Sequence, residues 1–240
     1  MKRPYQEETV IEDKSTRTVL ITNLENAEQI KPFYKDLPVK EVYTIKENQN
    51  ILFIIFYDLR NAELFFQRCS TLPFPAVPIY TVSKYEIPRE SDKCDEGKNQ
   101  STILITNKDN NTLSEEEVSK MCSIFGEIKA VREYRHNQKF VEFYDSRSAL
   151  EAFKKINEKN SNNNLSLRFV WDNSVKARWD YINNTDRVLK SFQENKYKNE
   201  IVKRKKLSKE EEITKKKNFY IGLFDDFIIQ KINEIEKMLK

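Results

Sequence analysis

The feature that most constrains the fold of this 240-residue chain is an internal repeat. The segment Thr18–Leu24 (TVLITNL) recurs as Thr102–Lys108 (TILITNK), and Phe53–Ala62 (FIIFYDLRNA) recurs as Phe140–Ala149 (FVEFYDSRSA). Both copies place the two segments in the same order and at a similar separation. Self-similar segments of this kind indicate two copies of one structural unit.

The second copy predicts six elements in the order β-α-β-β-α-β. Ser114 and Glu117 have the spacing of a capping box at the start of the first helix, and Gly126 is placed to end that helix. The predicted strands are Ile103–Thr106, Ile128–Tyr134, Lys139–Tyr144 and Leu165–Trp171, and the predicted helices are Leu113–Phe125 and Ser146–Ile156. This order predicts an α+β fold, in which both helices cover one face of a four-stranded antiparallel sheet.

The uncovered face of the second sheet is predicted to mix cations with aromatic rings. Because alternate strand residues point to the same face, it would present Leu104, Thr106, Arg132, Tyr134, Gln138, Phe140 and Arg168. Aromatic rings supply planes for unpaired bases, and arginine binds phosphate. The pattern therefore favours contact with single-stranded RNA. The alternative is that these rings are ordinary strand aromatics covered by a linker or tail.

The equivalent face of the first copy is predicted to be more apolar and to contain no cation. It would present Leu20, Tyr43, Ile45, Ile51 and Phe53. Exposed apolar patches usually indicate a protein contact or a covering neighbour. This face is therefore expected to bind a peptide or to pack on the second copy, with RNA contact by Tyr43 and Phe53 as a further candidate role.

The repeated strings resemble the two RNP motifs of the RNA-recognition-motif (RRM) family over residues 17–88 and 101–173. Ile103–Lys108 (ILITNK) aligns with the hexamer, and His136–Phe143 (HNQKFVEF) aligns with the octamer. The resemblance implies two tandem ferredoxin-like domains that bind RNA on their sheets. Leu20 and Leu104 replace the hexamer aromatic, and Ile51 and Gln138 replace the first octamer aromatic. The resemblance therefore assigns base stacking to Phe53 and Phe140 and implies weak to moderate affinity for each domain alone.

A narrower resemblance is to the paired RRMs of the Mei-two-like RNA-binding proteins. It rests on Glu127–Asp145 (EIKAVREYRHNQKFVEFYD) with Arg147 and Ala149, and on Val42–Thr44 (VYT) and Phe56–Arg60 (FYDLR) in the first copy. That family is associated with meiosis and differentiation. The resemblance implies a post-transcriptional regulator of transcript fate.

The resemblance assigns a first RRM to residues 17–88 and a second to residues 101–173. The remaining segments are then an N-terminal extension (1–16), a short charged linker (89–100) and a charged helical tail (174–240). The tail is basic, with 17 Lys and Arg against 11 Asp and Glu. It contains a candidate nuclear-import signal or phosphate contact at Lys203, Arg204, Lys205 and Lys206. A solvated helix with mixed charges is the alternative for this segment.

The last part of the tail carries an apolar stripe at helical spacing. Its residues are Phe224, Ile228, Ile232, Ile235 and Leu239. We expect it to dock onto the protein's own domains, with a partner helix or a dimer seam as the alternative.

The composition argues against an enzyme. Three dispersed glycines form no phosphate-cradling loop, and one histidine, His136, forms neither a metal cluster nor a nucleophile motif. We therefore expect no catalysis, no cofactor and no metal. Three cysteines at no metal-like spacing are expected to be reduced thiols.

The sequence also favours a soluble, intracellular protein. The longest apolar run, Ile51–Tyr57, is far shorter than the ~18 residues of a membrane helix. We expect no membrane contact and a nuclear location, with shuttling to the cytoplasm as an alternative. The favoured function is single-stranded RNA binding through tandem RRMs. The alternative is a protein-interaction scaffold whose degenerate RRMs bind peptides, and the salt dependence of binding separates the two.

Overall fold

A computed structural model describes residues 14–45, 48–98, 100–159, 164–192, 194 and 209–218. The chain divides into two compact units, Met1–Leu189 and Lys190–Lys240. In the second unit, residues 190–192 and 209–218 are helical, and all side chains of residues 209–218 are exposed. The Lys203–Lys206 signal and the apolar stripe from Phe224 to Leu239 lie outside the described residues, and both stay predictions.

The first unit begins with a domain built on one antiparallel sheet. Its elements are β1 (Thr18–Thr22), a 3-10 helix (Ala27–Phe33), β2 (Val39–Ile45), β3 (Asn48–Phe56), α1 (Leu59–Cys69) and β4 (Val77–Thr81), and the strand order is β2-β3-β1-β4. The 3-10 helix replaces the α-helix that the repeat predicts at this position. Pro32 lies inside it, and proline lacks the backbone N–H that an α-helix needs.

The second domain follows the predicted order in full. Its elements are β5 (Thr102–Asn107), α2 (Glu115–Cys122), a 3-10 turn (Ser123–Phe125), β6 (Ile128–Arg135), β7 (Gln138–Phe143), α3 (Ser146–Lys159) and β8 (Leu165–Val170), with strand order β6-β7-β5-β8. The predicted capping box is confirmed, because Ser114 and Glu117 exchange both hydrogen bonds. The two domains confirm the predicted α+β class with tandem βαββαβ units.

Each domain packs its helices on one face of its sheet. The buried core residues come from alternate strand positions, as a half-covered sheet requires: Val19, Ile21, Ile54 and Phe56 in the first domain, and Ile103, Ile105, Val141 and Phe143 in the second. The positions between them point to the opposite face. This alternation decides which side chains each sheet can offer to a ligand.

Gly126 ends the helical segment at a point where no side chain fits. Its φ is 157°, and a Cβ built there would lie 2.6 Å from the Cβ of Ser148. We expect Gly126→Ala to lower the free energy of unfolding by about 1–3 kcal/mol, because α3 must shift to accept the methyl group. Urea denaturation measures this. Gly97→Ala is the matched control: its Cβ would meet only the Asp95 side chain, at 3.2 Å. Equal losses for both variants would contradict the argument.

The two domains meet at matching strand-to-helix junctions, where β3 leads into α1 and β7 leads into α3. The backbone N–H of Leu59 donates to the Tyr144 carbonyl at 3.0 Å, and the N–H of Ser146 donates to the Tyr57 carbonyl at 3.0 Å. Asp58 and Asp145 form an antiparallel bridge between these bonds. The same position in each repeat therefore pairs with its counterpart.

At the same junctions, an arginine side chain of each domain contacts a tyrosine ring of the other domain. The Arg60 guanidinium lies 4.4 Å from the ring centroid of Tyr144, and that of Arg147 lies 4.6 Å from the ring centroid of Tyr57. These four residues, Tyr57, Arg60, Tyr144 and Arg147, form a Tyr–Arg clasp. Cation–π pairs of this kind stabilise by roughly 0.5–2 kcal/mol each. The repeated FYD-x-R string thus forms the domain junction.

A further helix, α4, begins at residue 175, and its residues up to 189 complete the first unit. Its Arg178 side chain is fully buried and lies 4.1 Å from the ring centroid of Trp171. The guanidinium donates to the Glu86 carbonyl at 2.9 Å and forms an ion pair with Asp92. Asp92 belongs to the segment between the domains. This segment is therefore packed against α4 and is not a free linker.

The other end of α4 contacts the first domain. The Thr185 hydroxyl lies 2.6 Å from the Thr81 hydroxyl on β4, and the Tyr181 hydroxyl donates to the Lys14 carbonyl at 2.6 Å. Arg178 contacts the chain between the domains, and Thr185 contacts the first sheet. The helix therefore joins both parts of the unit.

Candidate nucleic-acid interface

The uncovered face of the second sheet carries one continuous row across all four strands. The strand register places Phe140 opposite both Arg132 and Leu104, and Leu104 opposite Arg168. We call Arg132, Phe140, Leu104 and Arg168 the middle row. Arginine thus lies at both ends of the row with an aromatic ring between.

The aromatic part of this face is accessible. Tyr134 is 52% exposed, and its ring centroid lies 5.2 Å from that of the half-buried Phe140. The Arg135 guanidinium lies 5.5 Å from the centroid of the Tyr134 ring. Arg132 and Arg168 are also exposed. Rings and cations within reach of one another suit stacking of bases and binding of phosphates.

Two of the predicted site residues, Leu104 and Gln138, are less exposed than the other residues of this face. Leu104 lies in the middle row of the predicted face but is only 1% exposed, so the prediction that its side chain is open to a ligand is wrong. Gln138 is half-buried and its side-chain amide donates to the Thr106 hydroxyl at 3.2 Å. This pair lies in the row above the middle row, in the same cross-strand register.

The row below the middle row contains a buried carboxylate. Glu142 pairs with Arg132 at 3.0 Å and with Lys129 at 2.8 Å. Burial raises the pKa of the Glu142 carboxyl, but the hydrogen bond and charge of Lys129 and the nearby guanidiniums outweigh burial and hold the pKa below its usual range. Those guanidiniums belong to Arg132 and Arg17. The carboxylate therefore stays ionised next to Arg132, which is predicted to bind phosphate.

The equivalent row of the first sheet has no cation and is covered. It consists of Tyr43, Phe53, Leu20 and Ile79. Phe53 is 8% exposed and stacks on Tyr43 with ring centroids 4.8 Å apart. Leu20 and Ile51 are buried, and Tyr43 and Ile45 are half-buried. Most of this predicted apolar face is therefore buried, and peptide binding to it stays a prediction.

Two segments of the chain itself contact this face. The backbone N–H of Lys84, just after β4, donates to the Tyr43 hydroxyl at 3.2 Å. Thr81, which shares the face with Leu20, bonds to Thr185 of α4. Burial raises the pKa of Tyr43 to about 12. RNA contact by Tyr43 and Phe53 stays a prediction, and it would require these segments to move.

Sequence reasoning missed Lys129, Glu142 and Arg17 as parts of the second face. Lys129 lies at an irregularity of β6, between Ile128 and Ala130, from which its side chain reaches Glu142 on β7. Regular strand alternation does not predict this pair. Arg17 precedes the first strand of the other domain, and no local pattern links it to the second sheet. Across the described ranges there is no group of acidic, histidine or cysteine side chains that could hold a metal. The helices described here include none that is long and apolar enough to cross a membrane.

Comparison with known proteins gives a consistent group of relatives. The chain is 28% identical over 138 residues to Protein MEI2-like 5 of Arabidopsis thaliana, and 28% identical over 139 residues to Protein MEI2-like 2 of Oryza sativa subsp. japonica. The chain resembles the MEI2-like proteins. Each match covers 57% of this chain but only 17% and 16% of these relatives, so the chain spans about one sixth of their length. No family model matches the chain.

Two solved structures show a low overall similarity to this chain. The RNA recognition domains 1 and 2 of Sex-lethal from Drosophila melanogaster match 65% of this chain and 100% of that one, at 11% identity and a TM-score of 0.26. The match to the NONO-1 homodimer of C. elegans covers 82% of this chain and 92% of that chain, at 14% identity and a TM-score of 0.28.

Proposed function

We propose that this protein binds single-stranded RNA on the uncovered face of its second RRM and that it is not an enzyme. The observation that carries the proposal is the middle row, in which Arg132 and Arg168 flank Phe140. A stacked base on the ring would place its phosphates near one or both guanidiniums. The resemblance to MEI2-like proteins supports the wider proposal of a post-transcriptional regulator, in meiosis or differentiation.

The alternative is a protein-interaction scaffold that binds peptides on the first sheet. Leu20 and Phe53, which such a peptide would contact, are already buried. RNA on the second sheet is therefore the better supported proposal. An apolar peptide contact also predicts weak salt dependence, whereas phosphate contacts release counterions and predict a steep one.

The experiment is a fluorescence-anisotropy titration of the full chain with a labelled random single-stranded RNA pool at several salt concentrations. We expect binding that weakens steeply with salt. In Arg168→Ala, the slope of log K against log salt should become shallower by about 0.7, the value for one phosphate contact on a single strand. The reason is that Arg168 is an exposed cation at one end of the middle row.

Lys120→Ala is the matched control, because Lys120 is an exposed cation of α2 on the helical side of the domain. Its slope should equal that of the unaltered protein. An absence of RNA binding at low salt would overturn the proposal. If Arg168→Ala and Lys120→Ala gave equal salt slopes, the middle row would be excluded from the proposed RNA-binding site.

A further inference from the structure

Arg17 belongs to the first domain but binds the second with its side chain. It lies directly before β1 and is 8% exposed. One guanidinium nitrogen lies 2.5 Å from Asp172, and another donates to the Ser101 hydroxyl at 2.6 Å. The same nitrogen donates to the carbonyls of Phe143 and Tyr144, each at 3.1 Å. The first domain thus inserts one cation into the second domain.

This cation enters at the lower end of the candidate RNA face. Asp172 accepts a hydrogen bond from Thr102, the residue of β5 that lies opposite Glu142. Arg17, Lys129, Glu142 and Asp172 line one small cavity of about 20 Å³. Lys14 and Glu86 line it as well, so three carboxylates face three cations there. The cation that pairs with Asp172 is Arg17, which comes from the other domain.

The balance bears directly on Arg132. Glu142 binds Arg132 at 3.0 Å, yet Arg132 is the cation that the middle row offers to a phosphate. Without Arg17, Asp172 would keep its hydrogen bonds from Ser101 and Thr102 but lose its ion-pair partner. The carboxylates of Asp172 and Glu142 together would then attract Arg132 and repel phosphate more strongly. Arg17 does not itself reach the open surface, because its bonds are all to buried or half-buried groups.

We propose that Arg17 is a positioning residue for RNA binding: through it, the first domain compensates the acidic end of the second domain's RNA face and leaves Arg132 available to phosphate. The inference rests on the proposed function and adds a role for the first domain, whose own sheet face is covered. The first domain then contributes to affinity without contacting RNA. The lowered pKa of Glu142, to which Arg17 contributes, agrees with this arrangement.

The test uses the full chain, the same labelled RNA pool and the variants Arg17→Met, Arg17→Lys and Arg132→Ala. We expect Arg17→Met to weaken binding roughly three- to tenfold, the size of a single charge effect near a protein surface. Its salt slope should change by less than that of Arg132→Ala, because the contact between Arg132 and phosphate is weakened but not removed. Arg17→Lys should retain most of the affinity. Arg132→Ala, in contrast, should make the slope shallower by about 0.7.

A second variant separates electrostatic support from a general loss of structure. Adding Glu142→Gln to Arg17→Met should restore most of the affinity, because it removes the carboxylate that competes for Arg132. If Arg17→Met does not fold, Glu142→Gln alone is expected to bind RNA more tightly than the unaltered protein. Carbon-detected NMR titration should also find the pKa of Glu142 raised in Arg17→Met, with Lys129 and Arg132 still facing the carboxyl.

The outcomes distinguish this inference from the proposed function. If the unaltered protein does not bind RNA, both fail. If it binds, and folded Arg17→Met binds equally well, only the role of Arg17 fails. A slope in Arg17→Met as shallow as that of Arg132→Ala would mean that a whole phosphate contact is lost and would overturn a positioning role, as would a failure of Glu142→Gln to raise affinity.

Discussion

Arg178→Met is expected to lower the free energy of unfolding of the first unit by about 2–4 kcal/mol. The substitution keeps much of the side-chain volume but removes the guanidinium. Asp92 then loses its ion-pair partner and the Glu86 carbonyl loses a donor, while both stay near the buried end of α4. The loss is set below that of a fully buried ion pair, because the Asp92 side chain is 26% exposed and water compensates part of its charge.

Urea denaturation followed by tryptophan fluorescence measures this loss, because a tryptophan ring lies next to the substituted side chain. The chain has two tryptophans, and Trp171 lies against the Arg178 guanidinium. Arg187→Met, on the exposed side of α4, is the matched control and should change the free energy by less than about 0.5 kcal/mol. Similar midpoints for the two variants would mean that Arg178 does not hold α4 against the segment between the domains.

The sequence was sufficient to predict the order of elements and the composition of the second sheet face. Both follow from local rules: strands alternate their side chains, so Arg132, Phe140 and Arg168 could be assigned to one face from their positions alone. The capping box at Ser114 was likewise a local signal. The 3-10 helix of the first domain had a local signal too, Pro32, which the assumption of identical copies concealed.

The covering of the first sheet could not be predicted in this way. One contact between the first sheet and its covering helix joins Thr81 to Thr185. These two residues are 104 positions apart in the sequence. The sequence of α4 is charged and belongs to the segment predicted as a charged helical tail, for which a solvated helix was one of the alternatives. Its buried Arg178 shows why charge alone is a poor guide, since a guanidinium is stable inside a protein when an aromatic ring, a carboxylate and a carbonyl surround it.

The domain junction was visible in the sequence but could not be interpreted. The FYD-x-R string was identified because it occurs twice, and repetition indicates that two segments fold alike. It does not indicate that they bind each other. The crossed pairs Arg60 with Tyr144 and Arg147 with Tyr57 arise because each copy supplies both a ring and a cation at the same point of the fold. Such a contact resembles the self-complementary interface of a symmetric dimer.

The largest expected effect on RNA affinity comes from Phe140→Ala. If the ring stacks on a base, its removal should weaken binding by about 1–3 kcal/mol, a factor of about 5 to 150 in Kd. Phe140→Tyr retains the ring plane and should bind within about twofold of the unaltered protein, since stacking depends on the plane. The salt slope of Phe140→Ala should be unchanged, because the ring contacts no phosphate.

Two controls locate the effect on the second sheet face. Ile124→Ala truncates an apolar side chain that is 71% exposed on the helical side of the same domain, and it should leave Kd unchanged. Phe53→Leu alters the equivalent ring of the covered first sheet and is expected to change stability more than RNA affinity, because α4 and the chain after β4 lie over that sheet. If Phe53→Leu weakened RNA binding as much as Phe140→Ala, with both proteins folded, the covering segments would have to open for RNA. Binding would then involve both sheets.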